Sequence, residues 1–286
     1  MFEGHTGEID CLAVLPNGRL ASGSSDKTIR IWDLDTGSSR VLEGHTSVIN
    51  CLAVLPDNRL VSGSDDMTIR LWDLAIGSSR VLTGHTNPVT CVAVLSKDRL
   101  ASGSRDETIR IWELVTGNSR VLEGHAGDIV CLAVLPDDHL ASGSNDSTIR
   151  VWNLARTRTK LLRVVNFVTG RDETIRVLDF FNVSSRILEG HTSEITCLTI
   201  LPDGQLVSGS NDNTIRIWDF YSGSNRILEG HTSGITCLAM LPNDQLASGS
   251  DDKTIRVWDS TNGSGRVLEK HTGCIRCLGA CPRITT

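Results

Sequence analysis

A chain of 286 residues, 39% of them hydrophobic, is long enough to bury a sizeable core, and length alone does not choose between one large domain and two ordinary ones. Its net charge of -6 comes from 34 acidic against 28 basic residues spread along the chain, so no concentrated basic surface is offered to nucleic acid or anionic lipid. No run of eighteen apolar residues occurs, and the opening Met1-Phe2-Glu3-Gly4-His5 lacks the basic and apolar leader of a secretory signal, so neither a membrane span nor secretion is expected.

A Gly-His pair recurs along the chain, first at Gly4, Gly44, Gly84 and Gly124, forty residues apart. The next is Gly190, sixty-six residues on, and Gly230 and then Lys270-His271 follow at forty again. Six Trp-acid-like dipeptides keep the same step: Trp32-Asp33, Trp72-Asp73, Trp112-Glu113, Trp152-Asn153, Trp218-Asp219 and Trp258-Asp259, with Leu178-Asp179 where another would fall. A period of this length marks a stacked or radial array of small units. The units run approximately 5–43, 45–83, 85–123, 125–163, 164–189, 191–229 and 231–269, with a partial extra unit over 271–282, and together they make a single domain over 1–286.

The second unit shows the elements. Val48 to Leu55 is a short apolar strand ending at the turn Pro56-Asp57-Asn58, and Arg59 to Ser64 is a second strand. Asp65-Asp66 forms a tight turn, Thr68 to Asp73 a third strand rich in β-formers, and Ser79 to Leu82 a fourth. A first strand apolar on both faces suits a sheet sandwiched between two others. No helical periodicity competes.

Gly-His, a spaced Ser-Gly-Ser and then Asp-x-Thr-Ile-Arg-x-Trp-Asp resemble the WD-repeat family over about nine-tenths of the chain. The resemblance implies an all-β, seven-bladed propeller of four-stranded blades around a channel. It also implies a hydrogen-bonded staple in each blade: His5, Asp26 and Trp32 with Ser22 or Ser24; His45, Asp66 and Trp72 with Ser62 or Ser64; His85, Asp106 and Trp112. The same set can be filled by His125, Asp146 and Trp152, by His191, Asp212 and Trp218, and by His231, Asp252 and Trp258. Ser, His and Asp are also the members of a hydrolase triad, but a triad is one constellation beside one cleft. Six equivalent copies, each with an indole N–H in need of an acceptor, read as buried groups satisfying one another. No catalytic residue, cofactor or metal is expected.

The long interval reads as a damaged unit. Lys160-Leu161-Leu162 matches Arg40-Val41-Leu42 and is assigned as the outer strand of blade four. Blade five is then truncated, lacking its inner strand, with Phe167 to Gly170 as second strand and Glu173 to Asp179 as third. An exposed edge and local loosening are expected there, and Asp172 has no staple partners. Seven of nine cysteines, Cys11, Cys51, Cys91, Cys131, Cys197, Cys237 and Cys277, share one repeat position and read as small buried hydrophobes in a reducing compartment. Cys274, Cys277 and Cys281 with His271 do not make up the ligand set of a zinc site.

Positions that differ between units are where partners could be read. In propellers of this family the residues beside Gly-His and the turn Asp lie on one rim, which here presents Glu8, Asp10, Ser25, Asn50, Asp65, Arg105, Asp128, Asn145, Arg171, Glu194, Asn211 and Asp251. Glu8, Asp10, Asp65 and Asp251 form an acidic arc suited to a basic segment. Tyr221, Phe180 and Phe181 fall on the opposite face. The reading is a non-enzymatic protein–protein interaction scaffold binding proteins or peptides, without nucleic acid or membrane, as a monomeric propeller within a complex in the cytoplasm or nucleus. The alternatives are substrate or ubiquitin recognition in a degradation complex, and the propeller part of a larger regulatory protein.

Overall fold

Alternating β-branched residues between tight turns give strands of four to eight residues, and the computed structural model arranges them in antiparallel sheets. It describes residues 3–16, 18–154, 160–165, 172–177, 185–219, 222–241, 245–259, 263–273 and 275. The first sheet pairs Ile9–Val14, Leu20–Ser24, Ile29–Trp32 and Ser39–Leu42 in chain order. The second pairs Ile49–Val54, Leu60–Ser64, Ile69–Trp72 and Ser79–Leu82, within a residue or two of the bounds expected from sequence. The third runs Val89–Ser96, Arg99–Ser104, Ile109–Glu113 and Ser119–Leu122. The fifth and sixth begin at Ile195–Ile200 and Ile235–Met240 and end at Asn225–Leu228 and Gly265–Lys270.

First strands lie side by side from each sheet to the next, which makes them the inner strands of a radial array. The core sits between sheets: Ala21, Ile29, Ile31 and Leu42 of the first pack on Ile49, Leu60 and Trp72 of the second. Close approach explains the glycine of Ser-Gly-Ser. A Cβ on Gly23 would stand 2.6 Å from Cys11 Sγ and 2.7 Å from Ile49 Cγ2, so only glycine admits the neighbouring inner strand.

The interval between Gly124 and Gly190 folds differently from the expectation. The fourth sheet takes Ile129–Leu135, His139–Ser144 and Ile149–Asn153, and its outer strand is Ser185–Leu188 rather than Lys160-Leu161-Leu162. Three contacts give the reason. Arg150 Nη1 donates to Ser185 Oγ at 3.3 Å, as Arg30 does to Ser39 at 2.8 Å. Arg186 Nη2 donates to the Ser222 carbonyl of the next sheet at 2.6 Å, as Arg40 does to Leu74 at 2.8 Å. Leu188 closes a core with Ile149, Ile195 and Trp218. Lys160–Val165 instead pairs with Asp172–Val177 as a separate two-stranded sheet.

The described residues therefore form six four-stranded sheets and one two-stranded unit, and seven blades with a truncated fifth are not seen among them. The outer strand of the sheet that begins in unit 125–163 thus comes from unit 164–189, beyond the segment between Asn153 and Ser185. The fourth and fifth sheets pack directly, Ile195 meeting Gly143 as Ile49 meets Gly23, so the loosened edge expected there is a continuous core. Phe167–Gly170, Leu178 and Asp179, expected as strand residues, lie outside the described residues, while Asp172–Val177 overlaps the expected third strand from Glu173 onward. Uncovered apolar surface occurs elsewhere, at Ile9, Leu12 and Val14 of the first inner strand.

Candidate interaction surface

Each sheet ends, on the edge where inner strand begins and second strand finishes, in a His-Thr or His-Ala loop facing a tight turn. In the second sheet His45 Nδ1 lies 2.7 Å from Asp66 Oδ2, His45 Nε2 2.7 Å from Ser62 Oγ, and Trp72 Nε1 donates to the same hydroxyl at 2.8 Å. Of the two serines offered by sequence, Ser62 makes this bridge, while Ser64 Oγ accepts the Asp66 N–H at 3.1 Å. Threonine two residues after the turn Asp also belongs to the set: Thr68 donates through both Oγ1, at 2.6 Å, and its backbone N–H, at 3.0 Å, to Asp66 Oδ1. Sequence reading missed it, although Asp-x-Thr recurs in every unit. The His–Asp and His–Ser contacts repeat at 2.7 Å around His5, His85, His125, His191 and His231.

The chemistry of the set is structural. Burial pushes the imidazoles of His45, His85, His125, His191 and His231 below their ordinary pKa despite the facing carboxylates, so the neutral ring is held. A proton on Nδ1 then satisfies the aspartate, and Nε2 accepts from the serine hydroxyl, which in turn accepts from tryptophan. Burial raises the aspartate pKa, but hydrogen bonds from threonine, the loop N–H and histidine outweigh it, and Asp146 falls to about 2. The bridging serines are 0–1% exposed and each already takes an indole N–H, so none is presented as a nucleophile.

Of the described cysteines Cys237 is buried and Cys11, Cys51, Cys91, Cys131 and Cys197 are half-buried. Burial pushes Cys11, Cys91 and Cys197 up to about 12, and Cys51 and Cys131 well above the ordinary value, as small buried groups would behave. Among the described residues no group of three or more His, Cys, Asp or Glu could hold a metal, and no helix is long and apolar enough to cross a membrane. Cys274, Cys277 and Cys281 lie outside the described residues.

On the same edge the structure brings the variable positions together in pairs. The residue before the turn Asp donates its N–H to the carbonyl three residues after His: Ser25 to Glu8 at 2.9 Å, Asp65 to Val48 at 2.9 Å, Arg105 to Pro88 at 3.0 Å. Asn145 to Asp128, Asn211 to Glu194 and Asp251 to Gly234 repeat this at 3.0 Å. Glu8, Asp10, Arg105, Asn145, Asn211 and Asp251 are exposed; Ser25, Asn50, Asp65, Asp128 and Glu194 are half-buried; Arg171 lies outside the described residues. Some side chains engage one another: Asn211 Nδ2 donates to Glu194 Oε2 at 2.9 Å, and Arg105 Nε reaches across to Asp128 Oδ2 at 3.9 Å.

Asn50 has a second duty that its sequence position did not reveal. Its Nδ2 donates to Asp65 at 2.8 Å and to the Val89 carbonyl of the third sheet at 2.9 Å. Thr196 ties to Ile235 at 2.5 Å in the same way, and Thr90 to Ile129, so a donor at this position joins inner strands. Asp10 stands at the equivalent place in the first sheet, where a carboxylate has no proton to give. Phe180, Phe181 and Tyr221 lie outside the described residues.

Six stretches, residues 1–33, 37–73, 77–113, 117–153, 182–219 and 223–259, match the family described as WD domain, G-beta repeat. They cover well over half of the chain, and the fifth begins at 182, so that it takes in Ser185–Leu188 and leaves 154–181 unmatched. Nuclear distribution protein PAC1 of Candida tropicalis is 52% identical over 42 residues, 13% of this chain and 9% of that protein. Pre-mRNA-splicing factor PRP46 of Eremothecium gossypii is 49% identical over 43 residues, 14% and 10% of the two chains. Nuclear distribution protein PAC1 of Candida dubliniensis is 50% identical over 46 residues, 14% and 9%. The matched stretch spans about a tenth of the length of these curated relatives, so the similarity is to the repeat rather than to any whole protein.

Proposed function

The chain belongs to the WD-repeat family, and from that premise we propose that it is a non-enzymatic platform holding partner proteins or peptides along the edge that carries the paired variable residues. The observation that carries this reading is the contrast within each sheet. Histidine, aspartate, bridging serine and tryptophan are alike in six sheets and packed away, whereas Glu8–Ser25, Val48–Asp65, Pro88–Arg105 and their counterparts differ and reach the surface. A scaffold needs sameness inside and difference at its contacts.

Glu8, Asp10 and Asp65 on adjoining sheets, with Asp251 on the sixth, favour a basic segment, and Arg105 on the third sheet bounds the acidic stretch. Electrostatic complementarity of this kind sets encounter rate and choice of partner. Aromatic anchors are scarce on this edge because all six tryptophans are buried in the sheets, which suits modest or multivalent binding. The relatives, named for nuclear distribution and for pre-mRNA splicing, suit a member of an assembly in the cytoplasm or nucleus.

Affinity capture with the full chain and with the Asp10→Asn, Asp65→Asn, Asp251→Asn triple variant tests the reading. The amides keep size and hydrogen bonding while removing charge, so the variant should fold and lose at least about tenfold in affinity for the captured basic partner. Equal affinity would remove the acidic arc as the contact.

A further inference from the structure

Each third strand carries an arginine that reaches across to the outer strand of its own sheet, and the sixth sheet is the exception. Arg30, Arg70, Arg110 and Arg150 donate through Nη1 to Ser39, Ser79, Ser119 and Ser185 Oγ at 2.8, 2.8, 2.9 and 3.3 Å, and Arg216 donates to Asn225 Oδ1 at 2.6 Å. In the sixth sheet the acceptor position is Gly265, which has no side chain. The register at that point is the ordinary one: Arg256, Val257 and Trp258 face Val267, Arg266 and Gly265 as Arg30, Ile31 and Trp32 face Val41, Arg40 and Ser39. A Cβ on Gly265 would stand 2.4 Å from Trp258 Cε3, so no side chain fits there without displacing the ring. Among the described residues nothing accepts a hydrogen bond from Arg256.

Arg256 lines a hollow of about 460 Å³ on the edge that carries the histidine loops. Thr232 of the loop, Lys253 of the tight turn, and Val267 and His271 at the outer strand form its other walls. The outer wall exists because Gly265–Lys270 has six residues where Ser39–Leu42 has four. Beyond Arg256 the pair shifts register, and the His271 N–H donates to the Lys253 carbonyl at 2.8 Å. The guanidinium is held in place: its Cζ stands 5.9 Å from the Trp258 ring, and Nη1 lies 2.8 Å from where a Cβ on Gly230 would fall.

Lys253 is a second cation on the wall, exposed, and among the described residues its ammonium has no partner. The Asp252 carboxylate beside it is fully engaged. Its Oδ1 accepts the Thr254 N–H and hydroxyl at 2.8 and 2.6 Å, and its Oδ2 accepts the Thr232 N–H at 3.0 Å and faces His231 Nδ1 at 2.7 Å. Two cations with the Thr232 hydroxyl between them suit an anion of double charge and several acceptor oxygens. The first sheet shows what the glycine changes: Lys27 and Arg30 stand at the same two places, but Arg30 is tied to Ser39.

We propose that the sixth sheet binds a phosphoryl group between Arg256 and Lys253, that of a phosphoserine or phosphothreonine on a partner protein. Such a group carries a charge of about −1.5 to −2 at neutral pH and three strong acceptor oxygens. It matches the planar fork of an arginine and the point charge of a lysine together, where a single carboxylate answers only one of them. A lipid headgroup offers the same chemistry, but the net charge of -6, with Glu229 and Asp251 next in sequence to the walls, opposes an anionic bilayer. The inference does not rest on the acidic stretch of this edge as a contact, since it uses none of those residues.

NMR of the full isotopically labelled chain, titrated with N-acetyl-phosphoserine amide to about 10 mM, tests it. Signals of Thr232, Lys253 and Arg256 should move together with a Kd on the order of 1 mM, while those of Lys27 and Arg30 stay. Lys253→Gly, at a backbone φ of 68° that glycine adopts freely, should fold and bind at least about fivefold more weakly. Arg256→Gln should bind at least about tenfold more weakly, and Lys27→Gly as wild type does. The triple rim variant should bind no more weakly than wild type, so failure of the acidic contact and failure of the phosphoryl site are told apart. N-acetyl-serine amide and N-acetyl-glutamate amide should leave the signals in place. No response to the phosphoserine probe would overturn the proposal, as would undiminished affinity of Lys253→Gly or equal binding of the glutamate probe. Recruitment to vesicles of phosphatidic acid and phosphatidylcholine without a phosphoserine response would overturn it in favour of a lipid.

Discussion

Ser102 accepts the indole N–H of Trp112 at 2.8 Å and meets His85 Nε2 at 2.7 Å, so a single hydroxyl joins the third strand to the loop that begins the sheet. Leaving either partner unsatisfied in a buried site costs about 1–3 kcal/mol, which is why the set is uniform where the rim is not. The same set fixes the response to acid. Five histidines are held neutral in the fold by burial and take up protons near pH 6.5 when unfolded, so falling pH adds protons to the unfolded chain alone. Stability should decline from pH 7 to pH 5, on the order of 1 kcal/mol per pH unit for each histidine fully released. The aspartates, whose folded pKa is depressed, add a second loss below about pH 4 that for Asp146 runs to about pH 2. Urea titrations at stepped pH check both windows; a midpoint flat from pH 7 to pH 5 would contradict the neutral assignment.

At the scale of the strand, the decisive element is Ser185–Leu188. If it completes the fourth sheet, Leu188→Ala should cost about 2–5 kcal/mol, like any large-to-small change in a full core, and Leu122→Ala in the third sheet should cost a similar amount. A Leu188→Ala variant as stable as wild type in urea would return the outer strand to another segment. Four strands per unit were legible because apolar alternation and two turns, Pro56-Asp57-Asn58 and Asp65-Asp66 in the second unit and polar residues of varying identity in the others, recur in phase. The exchange of outer strands was not, because Lys160-Leu161-Leu162 carries the same pattern of one cation and two apolar residues as Arg186-Ile187-Leu188. The distinguishing signal was the neighbourhood: Ser185 precedes the cation and Glu189-Gly190-His191 follows the leucine, as around Arg40 and Arg120, whereas Thr159 and Arg163 flank the other segment. The staple residues were readable from spacing, since each set needs one residue per strand or loop. Asn50's tie to Val89 was not, because it depends on how near the next sheet comes.

Across the whole molecule the two edges are different surfaces. One bears the histidine loops and the paired variable residues; the other bears the turns between third and outer strands. The sheets between them are nearly interchangeable, so partner choice on this account belongs to the first edge. The most direct measurement is an amide hydrogen-exchange footprint of the full chain with and without its captured partner. Binding should slow exchange in the histidine loops and tight turns, near residues 6–10, 25–28, 46–50 and 65–68, and leave the third-to-outer turns at 33–38 and 73–78 unchanged. Protection confined to those turns would place the partner on the opposite edge and contradict the account.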